Sequence, residues 1–128
     1  MEILEQIQKA YKAATGYPDL VKKLVEIGVQ SYTVEVSSEI VLYRFAEGKT
    51  ALLDNAHQPK TIAKNFDRES TIQAVRDTQQ GKTDYPSFIN DIAKAGVRFY
   101  EATLSGENKR VSYIGIGGYY EEQIPFSA

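Results

Sequence analysis

Six of the nine tyrosines occupy matched positions when the sequence is aligned with itself so that Tyr17-Pro18 overlies Tyr85-Pro86. The matched pairs are Tyr17 with Tyr85, Tyr32 with Tyr100 and, after a two-residue insertion in the second hairpin, Tyr43 with Tyr113. A tyrosine ring supplies apolar area and its hydroxyl directs a hydrogen bond, so tyrosines suit a groove for a flat or amphipathic ligand. The candidate ligand-binding tyrosines are Tyr32, Tyr43, Tyr100 and Tyr113. The alternative is purely structural, because half-buried strands are rich in tyrosine.

His57 is the single histidine and the only side chain whose ordinary pKa lies near neutrality. It is therefore the one candidate general base, and an enzyme would need it close to Glu101 or Glu122. His57 and Glu101 are also candidates for directing a bound ligand. Each has a simpler alternative: His57 as a solvated loop residue, and the carboxylates as strand charges that discourage edge pairing. No catalytic residue is predicted from these features.

Motifs for metals and nucleotides are missing from the sequence. With no cysteine and one histidine, the chain cannot build the usual zinc sites. Residues 115–118, Gly-Ile-Gly-Gly, invite comparison with a phosphate-binding loop, but such a loop opens a helix and here a strand is predicted to follow. A bulge and turn is the expected structure. We therefore expect no cofactor and no metal.

Composition places the chain among soluble globular proteins, with 42% hydrophobic and 25% charged residues and a net charge of −2. The charges are spread evenly, so no basic surface is expected for nucleic acid. No apolar run is long enough to cross a membrane, and the N-terminus does not resemble a secretory signal. The absence of cysteine fits a reducing compartment, so a cytoplasmic location is expected.

The elements that would position these residues follow one order twice. In residues 1–53, apolar side chains at helical spacing predict one helix, and a second begins near Pro18 and ends at Gly28. From Val29 the apolar positions alternate, as in a half-buried strand, and two further short strands follow. This first repeat is predicted as two helices and a three-stranded meander.

The second repeat, residues 67–126, has the same order, with helices predicted over 68–79 and 86–95. Residues 54–66 show no clear periodicity and are predicted to be the connecting loop. We predict a single α+β domain over residues 1–128, formed by internal duplication of an ααβββ unit. The two repeats are expected to pack about a pseudo-twofold axis with antiparallel meanders, and the groove between them is the expected binding site.

One run of residues resembles a known family. Residues 79–85, Gln-Gln-Gly-Lys-Thr-Asp-Tyr, followed by Phe88 and by Ala-Lys-Ala-Gly-Val at 93–97, resemble the YdfO/YbcV-like family of small uncharacterised bacterial proteins. Members occur in prophages, and some are labelled phage envelope protein. The resemblance implies no established catalytic residues. The chain departs from the family at residues 109–113, where relatives tend to have a cysteine and a Tyr-Tyr-Asp turn.

These features favour a non-enzymatic module that binds a small molecule in the groove between the repeats, with tyrosines as its walls. One alternative is a protein–protein interaction module or homodimer, of prophage or stress origin, that uses an exposed strand edge or helix face. The other is an enzyme that uses His57 with a carboxylate.

Overall fold

Four α-helices and six β-strands are present in residues 2–54 and 58–124, the part of the chain that the computed structural model describes. The helices are α1 (Ile3–Ala13), α2 (Tyr17–Ile27), α3 (Arg68–Gln79) and α4 (Tyr85–Lys94). The strands are β1 (Ser31–Glu35), β2 (Val41–Arg44), β3 (Thr50–Leu53), β4 (Val97–Thr103), β5 (Arg110–Gly115) and β6 (Gly118–Gln123). The α+β class expected from the sequence is confirmed.

The six strands form one antiparallel sheet in the order β3-β2-β1-β4-β5-β6. Each half of the sheet is therefore a meander of three consecutive strands. The halves join at its centre, where β1 and β4 pair with Val34 opposite Tyr100. Two short strands, β3 and β6, are left as edges.

One face of the sheet carries the hydrophobic core. Along β1, burial alternates residue by residue, so that Tyr32 and Val34 are enclosed while Thr33 is partly exposed. Helix residues such as Leu24 and Ile89, both fully buried, belong to the same cluster. Full burial of such a side chain contributes about 1.5–3 kcal/mol, so the apolar stripes of the helices hold them on this face.

Local chemistry sets the helix ends. Helix α2 ends at Gly28, whose φ of 110° is left-handed and costs glycine little. Helix α4 starts at Asp84, whose carboxylate accepts a 2.9 Å hydrogen bond from the backbone N–H of Ser87. Hydrogen bonds from the side chain and the backbone of Ser87 lower the pKa of the Asp84 carboxyl. A proline stands in the first turn of both α2 and α4, where its missing N–H has no helical partner to lose.

The described part of the predicted connecting loop, residues 58–66, contains no helix or strand and is fixed by backbone hydrogen bonds. The N–H of Phe66 donates to the carbonyl of Ile116 at 3.1 Å. The ring of Phe66 packs against Gly115 and Gly118, which have no side chains to block it. The turn predicted in this glycine run is confirmed, since Gly115 pairs with Gly118 across a two-residue turn. The only nearby register irregularity lies in β4, between Val97 and Phe99.

Candidate functional site

A groove with a volume of about 960 Å³ lies over the helix-covered face of the sheet. Residues of all four helices line it, together with inward-facing residues of the strands. The helix contributions come from the end of α1, the start of α2, the end of α3 and the start of α4. The groove is thus bounded by both helix pairs, and its volume is typical of small-molecule sites.

Four tyrosines on adjacent strands form its base, which we call the tyrosine floor. They are Tyr32 on β1, Tyr43 on β2, Tyr100 on β4 and Tyr113 on β5. Tyr32 is paired with Tyr43 in the sheet register, with ring centroids 5.8 Å apart, and Tyr100 with Tyr113 at 5.5 Å. All four residues are at most 6% exposed, so their rings are covered by neighbours.

Three helix tyrosines form the rim of the groove: Tyr11, Tyr17 and Tyr85. Each is partly exposed, and the hydroxyl of each forms a hydrogen bond with the hydroxyl of one floor tyrosine. The hydroxyls of Tyr17 and Tyr32 are 2.8 Å apart, and those of Tyr85 and Tyr100 are 2.9 Å apart. Tyr43 donates to the hydroxyl of Tyr11 at 3.0 Å. Three of the four floor hydroxyls are therefore hydrogen-bonded to rim tyrosines.

Tyr113 differs from the other floor residues, because no residue in the described part of the chain hydrogen-bonds its hydroxyl. Among the described side chains, the only fully enclosed polar atom without a partner is Oγ1 of Thr83. The Tyr113 hydroxyl oxygen is therefore not fully enclosed, although the residue is 6% exposed. Since Tyr113 lines the groove, its hydroxyl opens into it.

Burial raises the pKa of the groove tyrosines above the ordinary value. It raises the pKa of Tyr17 to about 12, and it raises the pKa of Tyr32 and of Tyr100 well above 10. The pKa of Tyr113 is raised in the same way, first by burial and then by the charges and phenols near it, including Glu122. At physiological pH these groups are uncharged phenols that can donate and accept hydrogen bonds.

The acidic side chains of the lining are held in ion pairs. Lys60 pairs with Glu39 at 2.5 Å, and Arg76 pairs with Glu122 at the same distance. Arg76 also donates to the hydroxyl of Tyr120 at 3.3 Å. Lys12, the remaining charged lining residue, is exposed. The enclosed part of the groove is therefore close to neutral.

Of the residues predicted from the sequence, the four strand tyrosines lie together in the groove, and Glu101 does not join them. Glu101 is on the opposite face of the sheet, where it accepts hydrogen bonds from Thr33 at 3.3 Å and from Arg44 at 3.2 Å. His57 lies outside the described residues. Glu122 lines the groove and is paired with Arg76.

Sequence reasoning missed the part played by Tyr11. Tyr11 is not among the candidate residues predicted from the sequence, yet it is 41% exposed and its hydroxyl accepts a hydrogen bond from Tyr43. Its residue type could have identified it as a candidate, because Tyr11 is the one aromatic residue in α1.

No group of three or more histidine or acidic side chains suited to a metal ion occurs among the described residues. The described helices are also all too short and too polar to span a bilayer.

Fold and site together define a small α+β protein with a tyrosine-lined groove over its sheet. Residues 5–119 match the model of a family described as Protein of unknown function (DUF1398), and the chain belongs to this family. A comparison with curated proteins gives no match.

Proposed function

We propose that this chain is a non-enzymatic module that binds a small molecule in the groove between its two helix pairs. The observation that carries this assignment is the tyrosine floor, where buried, neutral phenols lie at the base of a 960 Å³ groove. Such sites combine apolar walls with a few fixed polar groups.

The hydrogen-bond inventory supports a ligand in this place. Each tyrosine pair has two O–H groups and uses only one of them within the pair. One O–H per pair is left to donate elsewhere, and Tyr113 adds another. The rim tyrosines are 38% to 48% exposed, so a rim O–H that is not used within its pair can donate to solvent or to a ligand in the groove.

We also propose that the two halves arose by duplication of an ααβββ unit and are related by a pseudo-twofold axis. The order β3-β2-β1-β4-β5-β6 supports this, because it is unchanged when the two meanders are exchanged. The matched hydroxyl pairs, Tyr17 with Tyr32 and Tyr85 with Tyr100, support it as well. A cytoplasmic location and kinship with the YdfO/YbcV-like prophage proteins remain parts of this proposal.

A thermal-shift screen against a broad metabolite library tests the binding function. A ligand present at 100 times its dissociation constant adds about 2.7 kcal/mol to the free energy of unfolding, which is readily detected. We expect a reproducible rise in Tm that is lost in the Tyr17→Ala/Tyr85→Ala variant, because both side chains line the groove. The rise is measured from the variant's own Tm without ligand, because truncation also removes the hydroxyl partners of Tyr32 and Tyr100. Tyr119→Ala is the matched control, since Tyr119 does not line the groove.

Two results would contradict the binding function. One is the absence of any stabilising compound in the screen, and the other is a Tm rise that survives truncation of both rim tyrosines.

The interaction-module alternative is favoured by one observation. Each edge strand exposes a large apolar residue: Leu52 on β3 is 56% exposed and Tyr119 on β6 is 68% exposed. Open edges with apolar side chains can pair with another chain. If a dimer forms through β3, Leu52→Lys will lower the weight-average mass measured by sedimentation equilibrium. A monomer at all concentrations would remove this candidate.

A further inference from the structure

We propose that the ligand of the groove is an uncharged, mainly apolar compound with a carbonyl oxygen, and that Tyr113 donates a hydrogen bond to that oxygen. This inference rests on the proposed function and gives it a chemical class: ketones, quinones and lactones. Tyr113 is a binding residue in this account.

The first step concerns the hydrogen bonding of the Tyr113 hydroxyl. It has no hydrogen-bond partner among residues 2–54 and 58–124, while each of the other three floor hydroxyls has one. The residue is more than nine-tenths buried, and its hydroxyl opens into the groove. Solvent can reach this hydroxyl in the open groove, so an apolar ligand that fills the groove must supply a partner for it, because a phenol left unpaired by the ligand would be costly.

The cause of this difference can be found in the sequence. When Tyr17 is placed over Tyr85, Tyr11 falls on Gln79. Tyr11 accepts a hydrogen bond from Tyr43, but Gln79 bonds Arg76 at 3.0 Å and Glu122 at 3.4 Å instead. The rim partner that satisfies Tyr43 is therefore missing for Tyr113.

The second step concerns the faces of the rings. The floor rings are tilted against one another and are almost fully covered, and Phe88 meets both Tyr100 and Tyr113 edge to face. A cation needs open aromatic faces within about 6 Å of their centres. The floor offers hydroxyl groups rather than open faces, so an organic cation is not the expected ligand.

The third step concerns charge. Two cations at or beside the groove already have carboxylate partners: Lys60 pairs with Glu39, and Arg76, whose side chain is 41% exposed, pairs with Glu122. Lys12 is exposed, so its ammonium group stays hydrated. A carboxylate moved into the groove would lose its hydration without gaining a free cation, and it would lie near Glu122. A carbonyl accepts the same hydrogen bond from Tyr113 without that cost.

Two probes of nearly equal shape test this assignment: acetylnaphthalene, which has a carbonyl, and ethylnaphthalene, which does not. Equilibrium dialysis should show that Tyr113→Phe weakens binding of the ketone by about fivefold to tenfold, as expected for one hydrogen bond, and leaves binding of ethylnaphthalene nearly unchanged. Tyr119→Phe, which deletes a phenol hydroxyl outside the groove, should leave both affinities unchanged.

A second measurement reports on the hydrogen bond itself. The infrared carbonyl stretch of bound acetylnaphthalene should lie at lower frequency in the wild-type complex than in the Tyr113→Phe complex. Because this substitution removes a single oxygen atom, a thermal melt of the variant will show whether the fold is retained.

The outcomes separate this inference from the proposed function. If Tyr113→Phe weakens binding of neither probe, or of both equally, while binding is still lost in Tyr17→Ala/Tyr85→Ala, the role of Tyr113 is wrong and the groove remains a binding site. Tighter binding of naphthoate or of naphthylmethyl-trimethylammonium than of the ketone overturns the uncharged class. Failure of all four probes to bind contradicts this inference, whereas the thermal-shift screen tests the binding function separately.

Discussion

The hydroxyl pairs between rim and floor give the tyrosines unequal roles in stability. In Tyr32→Phe or Tyr100→Phe, a rim hydroxyl loses its partner, so we expect each variant to lower the free energy of unfolding by about 1 kcal/mol. Tyr113→Phe breaks no hydrogen bond with a described residue. Its free energy of unfolding should be within about 0.5 kcal/mol of the wild-type value, or higher. Urea denaturation measures all three.

Tyr119→Phe is the control for this series, because Tyr119 is 68% exposed. If Tyr113→Phe is as destabilising as Tyr32→Phe, the hydroxyl of Tyr113 has a structural partner, and its role as a ligand anchor is wrong.

Alkaline pH should unfold the protein through the same tyrosines. Burial raises the pKa of Tyr17 to about 12 and that of Tyr32 well above 10, whereas in the unfolded chain both are near 10. The fold therefore favours the neutral phenol. This contribution is complete below pH 10 and is lost as the pH rises from about 10 towards 12 and beyond.

We expect phenolate absorbance to rise together with the loss of the circular dichroism signal in that range. Ionisation of most tyrosines near pH 10 with the fold intact would show that the floor is open to solvent.

At the scale of elements, the β5–β6 hairpin and the loop before α3 pack together through one close contact, in which Gly115 lies against Gly96 and Phe66. A Cβ atom at Gly115 would overlap the carbonyl oxygen of Gly96 and lie 2.9 Å from Cδ1 of Phe66. Because backbone cannot move aside easily, we expect Gly115→Ala to lower the free energy of unfolding by about 3 kcal/mol. Thermal or urea denaturation measures the loss.

Gly117→Ala is the control in the same hairpin. Gly117 has a φ of +86° but open space around it, so the substitution should cost only about 1–2 kcal/mol. A smaller loss for Gly115→Ala than for Gly117→Ala would contradict the packing of Phe66 against this glycine.

The elements themselves could be predicted from the sequence because their signals are local. Apolar spacing, a proline in the first turn and a glycine at the end mark α2, and alternation marks β1. Long-range pairing was not predictable in the same way. The contact of β1 with β4 and the packing of Phe66 on Gly115 join distant residues, and no local pattern encodes their geometry.

The site could be predicted in part for the same reason. Alternation along the strands places Tyr32 and Tyr100 on the inward face, which is a local property. The same alternation turns Glu101 outward, because it adjoins Tyr100 on β4. The pairing of Tyr11 with Tyr43 needed the packing of α1 on the sheet, and so did the unpaired state of Tyr113.

At the scale of the whole molecule, the two halves of the fold both contribute residues to the lining of one groove. Its lining comes from both helix pairs and from both meanders, while β1 and β4 join the halves beneath it. A ligand held there would contact Tyr17 from one half and Tyr85 from the other. Its binding energy would therefore stabilise the whole domain rather than one helix pair.

Chemical-shift mapping by NMR with acetylnaphthalene tests the groove most directly. We predict saturable changes in the backbone amide signals of Tyr17, Tyr85 and Tyr113, with little change at Thr33 on the outer face or at Leu52 on the β3 edge. Changes confined to the outer face or the edge strands, or no saturable change at all, would contradict the account of a ligand-binding groove.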